Sequence, residues 1–409
     1  MLTRRSLLWS GLLVLAPVRL RDAEAAARLR GPMVGHVAPT EAYVWVYTGN
    51  HPDVWVNYRK KGAPMGTTRR VRVVPQNGHK AVLTGLEPGT EYVYRVTYRG
   101  RSEDDYWRGR FRTPPALGTP HAFRFLTSSC MKHNVKYQDA WLTAGKEDAD
   151  FHLLLGDNAY VDSTNPGEHW KHHMRMRGVW QFAQLVRNTP TYAIWDDHDF
   201  AGNDSAGQVV ASRARILETH KQLWPNPYHG TPEVPGAFFK LQRGDVDFFF
   251  LDGRYYRSPR KARDDARKRM LGDRQFAWFA REIRASKAPF KFIATGSTID
   301  AKDTDIWKEY TFALNRMYRL IRESRIGGVI WLTGDLHDSR ITVHPKKDTG
   351  FYDMPEVVSS GIANGKWFRF AALDVDTAKP DPTVRIRIMN PAGDVHQQRT
   401  VRASELQMR

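Results

Sequence analysis

Eight residues carry most of the chemistry legible in this chain: Cys130, Asp157, Tyr160, Asp196, Asp197, His198, Asp335 and His337. They fall in four stretches with one grammar, an apolar run of strand length that ends in ligand-type side chains. The stretches are Phe123 to Cys130, Asp150 to Tyr160, Tyr192 to Asp199 and Val329 to His337. In the clearest of them, Phe151 to Leu155 reads as a buried strand, and Gly156 lets the backbone turn sharply at its end. Asp157 then stands just past the carboxyl end of a strand, where open α/β sheets gather their ligands. A lone Asp in such a place is ordinarily a turn or helix cap. Four such ends, each with Asp, His or Cys, instead point to one metal site on which all four converge.

Hard carboxylates beside a softer imidazole suit iron, manganese, calcium or zinc. A thiolate from Cys130 or a phenolate from Tyr160 favours Fe(III). Two clustered metals do what phosphate ester hydrolysis requires: they bind phosphate oxygens, deprotonate a water and clamp an in-line displacement. The expected step is attack of a metal-bound hydroxide on phosphorus, with Asp157 as the carboxylate shared between the metals. His198 is expected to protonate the leaving oxygen or to bind the phosphate. Arg254, directly after a strand, is expected to neutralise charge on the phosphate. Asn134, just past Cys130, is a further candidate for substrate binding.

The elements that must position these residues alternate from about residue 122 onward, which argues for a layered α/β domain. Strands are expected at Phe123–Thr127, Phe151–Leu155, Thr191–Trp195, Ala237–Leu241, Asp245–Leu251, Phe290–Thr295 and Gly328–Leu332. Helices are expected at Gln138–Lys146, over a long basic stretch from His169 to Arg187, at Val209–Gln222, Asp273–Ser286 and Thr311–Arg325. The basic segment Arg260 to Arg269 reads as a loop, and so do Asp300, Asp303 and Asp305. Asp252 is expected to pair with Arg254 or Arg257. After His337 only strands follow, and the segment 340–409 carries no functional motif.

Residues 31 to 113 read as all-β, dense in aromatic and β-branched residues at Ala42–Tyr47 and Asp53–Tyr58. Leu86-Glu87-Pro88-Gly89-Thr90-Glu91-Tyr92 resembles the L-x-P-G-T-x-Y signature of fibronectin type III sandwiches, in which the Tyr makes a corner hydrogen bond. Residues 114–121 form a proline-stiffened linker to a catalytic domain at 122–409.

The 409 residues argue for two or three domains. An apolar fraction of 41% supports a real core, and 62 Lys and Arg against 44 Asp and Glu leave a net charge of +18. That field attracts phosphate-bearing partners without choosing among them, and no specific nucleic-acid recognition is expected. The single Cys excludes an intramolecular disulfide. Residues 1–25 read as a targeting signal. Arg4-Arg5 precedes the apolar run Leu7 to Ala16, and Ala23-Glu24-Ala25 offers a cleavage site. The run is too short to span a bilayer. The expectation is a twin-arginine-exported protein without a transmembrane span, periplasmic or extracellular, carried folded and with metal already loaded.

Taken together, Ser129-Cys130, Gly156-Asp157-Asn158-Ala159-Tyr160-Val161-Asp162, Trp195-Asp196-Asp197-His198-Asp199-Phe200 with Asn203-Asp204, Leu251-Asp252-Gly253-Arg254-Tyr255-Tyr256-Arg257 and Gly334-Asp335-Leu336-His337 resemble the alkaline phosphatase D family. The motifs stand in the family's order, over nearly the whole mature chain. The resemblance implies the wider calcineurin-like and purple acid phosphatase architecture, a four-layer β-sandwich core flanked by helices, preceded here by the small fibronectin-like domain. It implies that Cys130 and Tyr160 bind iron, that Asp157 bridges metals, and that Asp197 occupies the position of the wider superfamily's metal-binding Asn, with Asp196 beside it a further candidate ligand. It further implies that His198 is the acid or phosphate-binding His, that Asp335 and His337 are ligands, and that calcium accompanies iron; zinc and manganese stay open. No extra metal-binding His stands on the strand Phe290–Thr295. The function implied is hydrolysis of phosphate mono- or diesters, small or polymeric. The rivals are a phospholipase D-type hydrolase of lipid headgroups using the same site, and a polyanion-binding protein with a vestigial one.

Overall fold

Period-2 alternation decides the layers. In the strand Ala122–Ser128, Phe123 and Phe125 point one way and Leu126 the other. The strands Phe151–Leu155 and Thr191–Ile194 repeat the pattern with Phe151, Leu153 and Leu155 against Leu154, and with Tyr192 and Ile194 against Ala193. Both faces are apolar, so both must be covered. These strands occupy a six-stranded sheet in the order Thr191–Ile194, Phe151–Leu155, Ala122–Ser128, Phe370–Asp376, Thr383–Met389, Val395–Arg402. A second six-stranded sheet runs Phe239–Arg243, Val246–Phe250, Lys291–Ala294, Val329–Thr333, Met354–Val358, Arg340–His344. The protein is described by a computed structural model over residues 29–49, 51, 53–98, 107–302 and 305–408. The twin-arginine segment, its cleavage site and Asp303 lie outside the described residues.

The two sheets meet through aromatic rings. Phe125 and Phe151 stack with centroids 5.2 Å apart, and Phe248 meets them edge-on at 5.2 and 5.4 Å. Each such ring, fully buried, contributes roughly 1.5–3 kcal/mol. On the outer face of the first sheet, Leu126, Leu154 and Ala193 pack on Trp141, Met176, Phe182 and Leu185. Those four come from the helices Ala140–Lys146, Pro166–Arg177 and Trp180–Val186. The amphipathic helices Asp273–Ala285 and Thr311–Glu323 add buried faces to the core of the second sheet, with Phe279 edge-on to Phe249 at 5.6 Å. The result is the expected four-layer sandwich.

Topology then places the site. Ala122–Ser128, Phe151–Leu155 and Thr191–Ile194 are parallel neighbours, as are Val246–Phe250, Lys291–Ala294, Val329–Thr333 and Met354–Val358. Within each parallel set, the carboxyl ends therefore emerge at one sheet edge.

Residues 30–112 form a smaller sandwich. A three-stranded sheet, Arg30–Val37, Glu41–Tyr47 and Lys80–Thr84, faces a four-stranded one in the order Arg69–Arg72, Val54–Lys60, Glu91–Tyr98, Arg108–Arg112. The Tyr92 hydroxyl accepts the Glu87 backbone N–H at 2.9 Å, the expected tyrosine corner. This sandwich is docked on the larger unit. Trp45 Nε1 donates to Gln222 O at 2.8 Å, Tyr94 Oη to Arg187 O at 2.8 Å, and Arg177 sits over both Trp45 and Trp224.

Several expectations are corrected. The long helix from His169 to Arg187 is two helices, parted at Gly178-Val179. The helix expected from Val209 starts at Arg213, behind a 3-10 turn. The tail is not strands alone, for it includes the short helix Lys346–Thr349. Among the described residues no helix is long and apolar enough to cross a membrane.

Candidate metal centre

The four strand ends converge. Ligand atoms of Cys130, Asp157 and His337 lie within 4.8 Å of one another, as do those of Asp157, Asp197 and His198, and those of Asp196, Asp197 and Asp335. Asp157 and Asp197 each belong to two of these groups, so the three sets form one continuous cluster. Its backbone is unusual. Cys130, Asp157, Asp335 and His337 all adopt left-handed conformations, with φ of 58°, 53°, 74° and 53°. Each such non-glycine residue costs on the order of 1 kcal/mol or more and persists only where its surroundings impose it.

Glycines make the close approaches possible. A Cβ on Gly156 would lie 2.5 Å from the Asp196 Cβ, and one on Gly334 would lie 2.6 Å from Ser129 Oγ. At Gly296, past the strand Lys291–Ala294, a Cβ would collide with the Asp196 carboxyl, 2.7 Å from Oδ1. Just past that strand there is no room for a side chain, since Asp196 occupies the space.

A second layer of contacts fixes the turns. Asp199 Oδ2 accepts the backbone N–H of both Asn158 and Asp196 at 3.1 Å, and its Oδ1 accepts that of Ala159 at 3.0 Å. One carboxylate so ties the Gly-Asp-Asn-Ala turn to the Asp-Asp-His-Asp turn. Asp197 accepts from the backbone N–H of His198 at 2.9 Å and Asp204 at 2.8 Å. Cys130 Sγ lies 3.4 Å from Asp157 Oδ2 and accepts from Ser360 Oγ at 3.1 Å.

On the open side, the Tyr160 hydroxyl is 2.7 Å from His337 Nε2, and Asn364 Nδ2 donates to it at 2.5 Å. Lys132 Nζ lies 4.3 Å from the Tyr160 ring centre. His198 packs on the same ring with centroids 4.2 Å apart, and its Nδ1 is 2.5 Å from Asp162 Oδ1. The His198 side chain is 18% exposed and that of Asp162 50%. The second imidazole nitrogen of His198 is thereby left for other partners.

Arg254 needs correction. Its side chain is 0% exposed. Nε donates to Asp196 Oδ1 at 2.5 Å, and Nη1 to Asp305 Oδ2 at 2.6 Å. Remaining donors reach Ser205 O and Ser297 Oγ. A buried guanidinium with these partners positions Asp196 and presents nothing to a phosphate. Asp305 is the loop residue expected, but not an exposed one, for it is buried and bridges Arg254 and Arg257. Asp252 pairs with neither arginine side chain. It accepts from Trp195 Nε1 and from the backbone N–H groups of Arg254, Tyr255 and Ala237. Asn134 is exposed in the turn after Lys132 and has no hydrogen bond to the cluster.

Two contributors were missed, Ser360 and Asn364, both beyond the strand Met354–Val358. The signal was available. Ser359-Ser360-Gly361 follows an apolar run with the same grammar as the other ends, but without an acid or imidazole to mark it.

The electrostatics fit cations. Burial and then the carboxylates of Asp197, Asp196, Asp199 and Asp335 push Asp157 well above the usual carboxylate range. Burial, opposed by Arg254, leaves Asp196 at about 6, and burial raises Asp199 to about 8. Burial and the Asp157 and Asp335 charges raise the Cys130 thiol, and burial with Cys130 and Asp157 raises Tyr160. Asp157 Oδ1 and Asp196 Oδ2 are buried without any protein hydrogen-bond partner. Crowded anions with orphaned oxygens beside a thiol and a phenol are a donor set that metal ions satisfy.

The fold has solved counterparts. A structure of PhoD aligns with TM-score 0.72 at 17% identity, covering 91% of each chain. Purple acid phosphatase PPD1 from yellow lupin (Lupinus luteus) seeds aligns with TM-score 0.66 at 14% identity, covering 91% of this chain and 74% of that one. The architecture is thus that of the purple acid phosphatase and PhoD class. The model of the PhoD-like phosphatases matches residues 168–403, and the chain belongs to that family. A domain of unknown function (DUF7800) matches residues 26–109. Alkaline phosphatase D of Bacillus subtilis (strain 168) is 23% identical over 335 residues, 69% of this chain; the alignment covers 57% of that protein's length.

Proposed function

We propose that this protein is an exported, metal-dependent hydrolase of phosphate mono- and diesters. The observation that carries the reading is the convergence of Cys130, Asp157, Asp196, Asp197, His198, Asp335 and His337, with two buried carboxylate oxygens unpartnered. Family membership supports it. Asp157, common to two candidate ligand groups, would be the shared carboxylate. Cys130 and His337, with Tyr160 beside them, would hold a cation at one end, where thiolate and phenolate donors favour iron. Asp196, Asp197 and Asp335 offer oxygens at the other, which suit calcium, with zinc or manganese as alternatives. When bound, the cations supply positive charge to phosphate oxygens and acidify a water.

The chain's own residues do the rest. Asp162 holds the His198 imidazole by Nδ1, so Nε2 is the atom that hands a proton to the leaving oxygen or binds the phosphate. Lys132, at the open side of Tyr160, adds charge that draws anions in. Arg254 fixes Asp196. Residues 1–25 are the export signal, consistent with a family reading in which a folded, loaded protein is carried out.

The test is Asp157→Asn. Loss of bound metal together with loss of nitrophenyl phosphate and bis-nitrophenyl phosphate hydrolysis is expected. Wild-type turnover in this variant sinks the reading, and turnover of phosphatidylcholine alone replaces it with headgroup hydrolysis.

A further inference from the structure

The outer face of the four-stranded sheet in the N-terminal sandwich is an array of guanidinium groups. Register shows its rows. Arg72, Trp55 and Thr97 form one; Arg70, Asn57, Arg95 and Arg108 the next; then Arg59, Val93 and Arg110; then Glu91 and Arg112. The opposite face of these strands carries the sandwich core, including Val54, Val56, Tyr58, Tyr92, Val96 and Phe111. Seven arginines therefore share one face, and Glu91 is the one carboxylate within the four strands. That carboxylate is already engaged by Lys61 and Arg110. Arg70 lies over the Trp55 ring at 3.9 Å.

Such a face is not what solubility alone produces. A face selected for solubility mixes signs. The cations are all arginine, whose planar fork grips phosphate in two bonds where lysine offers a point charge. The face also holds a shallow concavity of ≈ 580 Å³, lined by Arg59, Arg95, Arg108, Asn57, Val93 and Met65. Within the four strands no large apolar side chain is exposed, and Met65, 67% exposed, is the single large apolar side chain exposed at the concavity, whereas a membrane-lying surface presents a set of exposed aromatic or leucine side chains.

Position separates the array from the metal centre. Its lower rows abut Asp148, which Arg110 reaches at 2.9 Å, and Pro190. Those residues precede the strands Phe151–Leu155 and Thr191–Ile194, at the end opposite the ligand turns. We propose that this face is an anchoring surface for a linear phosphodiester polymer. It binds by charge without reading sequence, and it holds the enzyme on a polyanion independently of the metal centre. The proposal goes beyond the hydrolase reading and does not depend on it.

The test measures binding of a fluorescent abasic oligodeoxyribonucleotide, a bare phosphodiester chain, to the full-length chain carrying Asp157→Asn, across a salt series. Replacing Arg70, Arg95 and Arg112 by Thr is expected to weaken binding about tenfold or more and to flatten the salt slope by about 2, roughly 0.7 for each phosphate no longer neutralised. Arg274→Gln with Arg281→Gln and Arg319→Gln, an equal charge loss on exposed helix positions, is expected to change affinity less than about twofold. In the wild-type background the Thr triple leaves nitrophenyl phosphate turnover unchanged. Should the triple fail to fold, Arg112→Thr alone gives the readout, a slope change of about 0.7. Equal weakening by both triples overturns the proposal in favour of diffuse charge. No weakening by the Thr triple overturns it outright. Binding to phosphatidylglycerol vesicles without binding to the polymer replaces it with a membrane surface.

Discussion

Gly296→Ala tests the geometry of the centre without replacing any proposed ligand. Gly296 does not lie in the left-handed region, so alanine fits its backbone. The new Cβ would stand 2.7 Å from Asp196 Oδ1 and 2.8 Å from its Cβ, against ordinary contacts of 3.4 Å or more. Asp196 has little freedom to give way. Its Oδ1 is held by Arg254 Nε at 2.5 Å, its backbone N–H by Asp199, and Gly156 closes on it from the other side. The carboxylate must therefore shift by a large fraction of an ångström, and misplacements near 1 Å cost on the order of 100-fold in rate. Overpacking of this kind costs about 1–3 kcal/mol, leaving a folded protein. The assay is kcat/KM for nitrophenyl phosphate with metal content by elemental analysis and a urea melt on the same sample. The expected result is a folded protein with kcat/KM reduced on the order of 100-fold and lowered metal occupancy. A folded variant with wild-type kcat/KM and full metal would refute the claim that Asp196 is held in place for the centre.

Asp162→Asn removes the charge that holds His198 Nδ1, 2.5 Å away. It should lower kcat by about 10²-fold with little change in KM and should shift the pH profile; a KM effect alone would assign Asp162 to binding. Asp305→Ala leaves Arg254 and Arg257 buried without their shared partner. It should cost about 3–5 kcal/mol in urea unfolding, and a loss below about 1 kcal/mol would show that the ion-pair network is dispensable. His152 is buried against Ser128 Oγ, and burial lowers its pKa to about 3 from an ordinary 6.5. The unfolded chain therefore binds a proton below pH 6.5 that the folded chain refuses until about pH 3, so stability from this site falls as pH falls. Relative to His152→Gln, the wild type should lose about 1.4 kcal/mol between pH 7.5 and 5.5. An unchanged difference would mean that His152 is protonated in the fold.

The layers and most of the candidate ligands were legible because both depend on local pattern. Alternating apolar residues specify which face of Phe151–Leu155 is buried, and an acid just after a glycine at a strand's end announces itself in one dimension. Arg254 was misread because its environment is assembled from elsewhere. Asp196 and Asp305, 58 and 51 residues distant, convert a plausible phosphate ligand into a buried clamp. Asp305 lies in a loop as expected, but nothing in its surroundings in sequence shows that it ends up between two guanidinium groups. The strand Arg108–Arg112 was hidden because arginines on its outer face dilute the apolar signal to Phe111 alone.

Backbone strain gives an independent outline of the same centre. Ten described non-glycine residues have positive φ. Four are members of the ligand groups, Cys130, Asp157, Asp335 and His337. Two more, Asp162 and Asp204, are bonded directly to His198 and Asp197. Asp tolerates this region better than most residues, but Cys and His do not share its short self-bonding side chain in equal measure. Their presence there means that neighbouring contacts impose the conformation, and Ser360 is the shared agent. Its hydroxyl accepts from the His337 backbone and donates to Cys130 Sγ. A residue from a strand end without any metal-binding side chain thus holds two strained candidate ligands at once. It follows that the centre is built by five strand ends, four that supply donors and one that holds them.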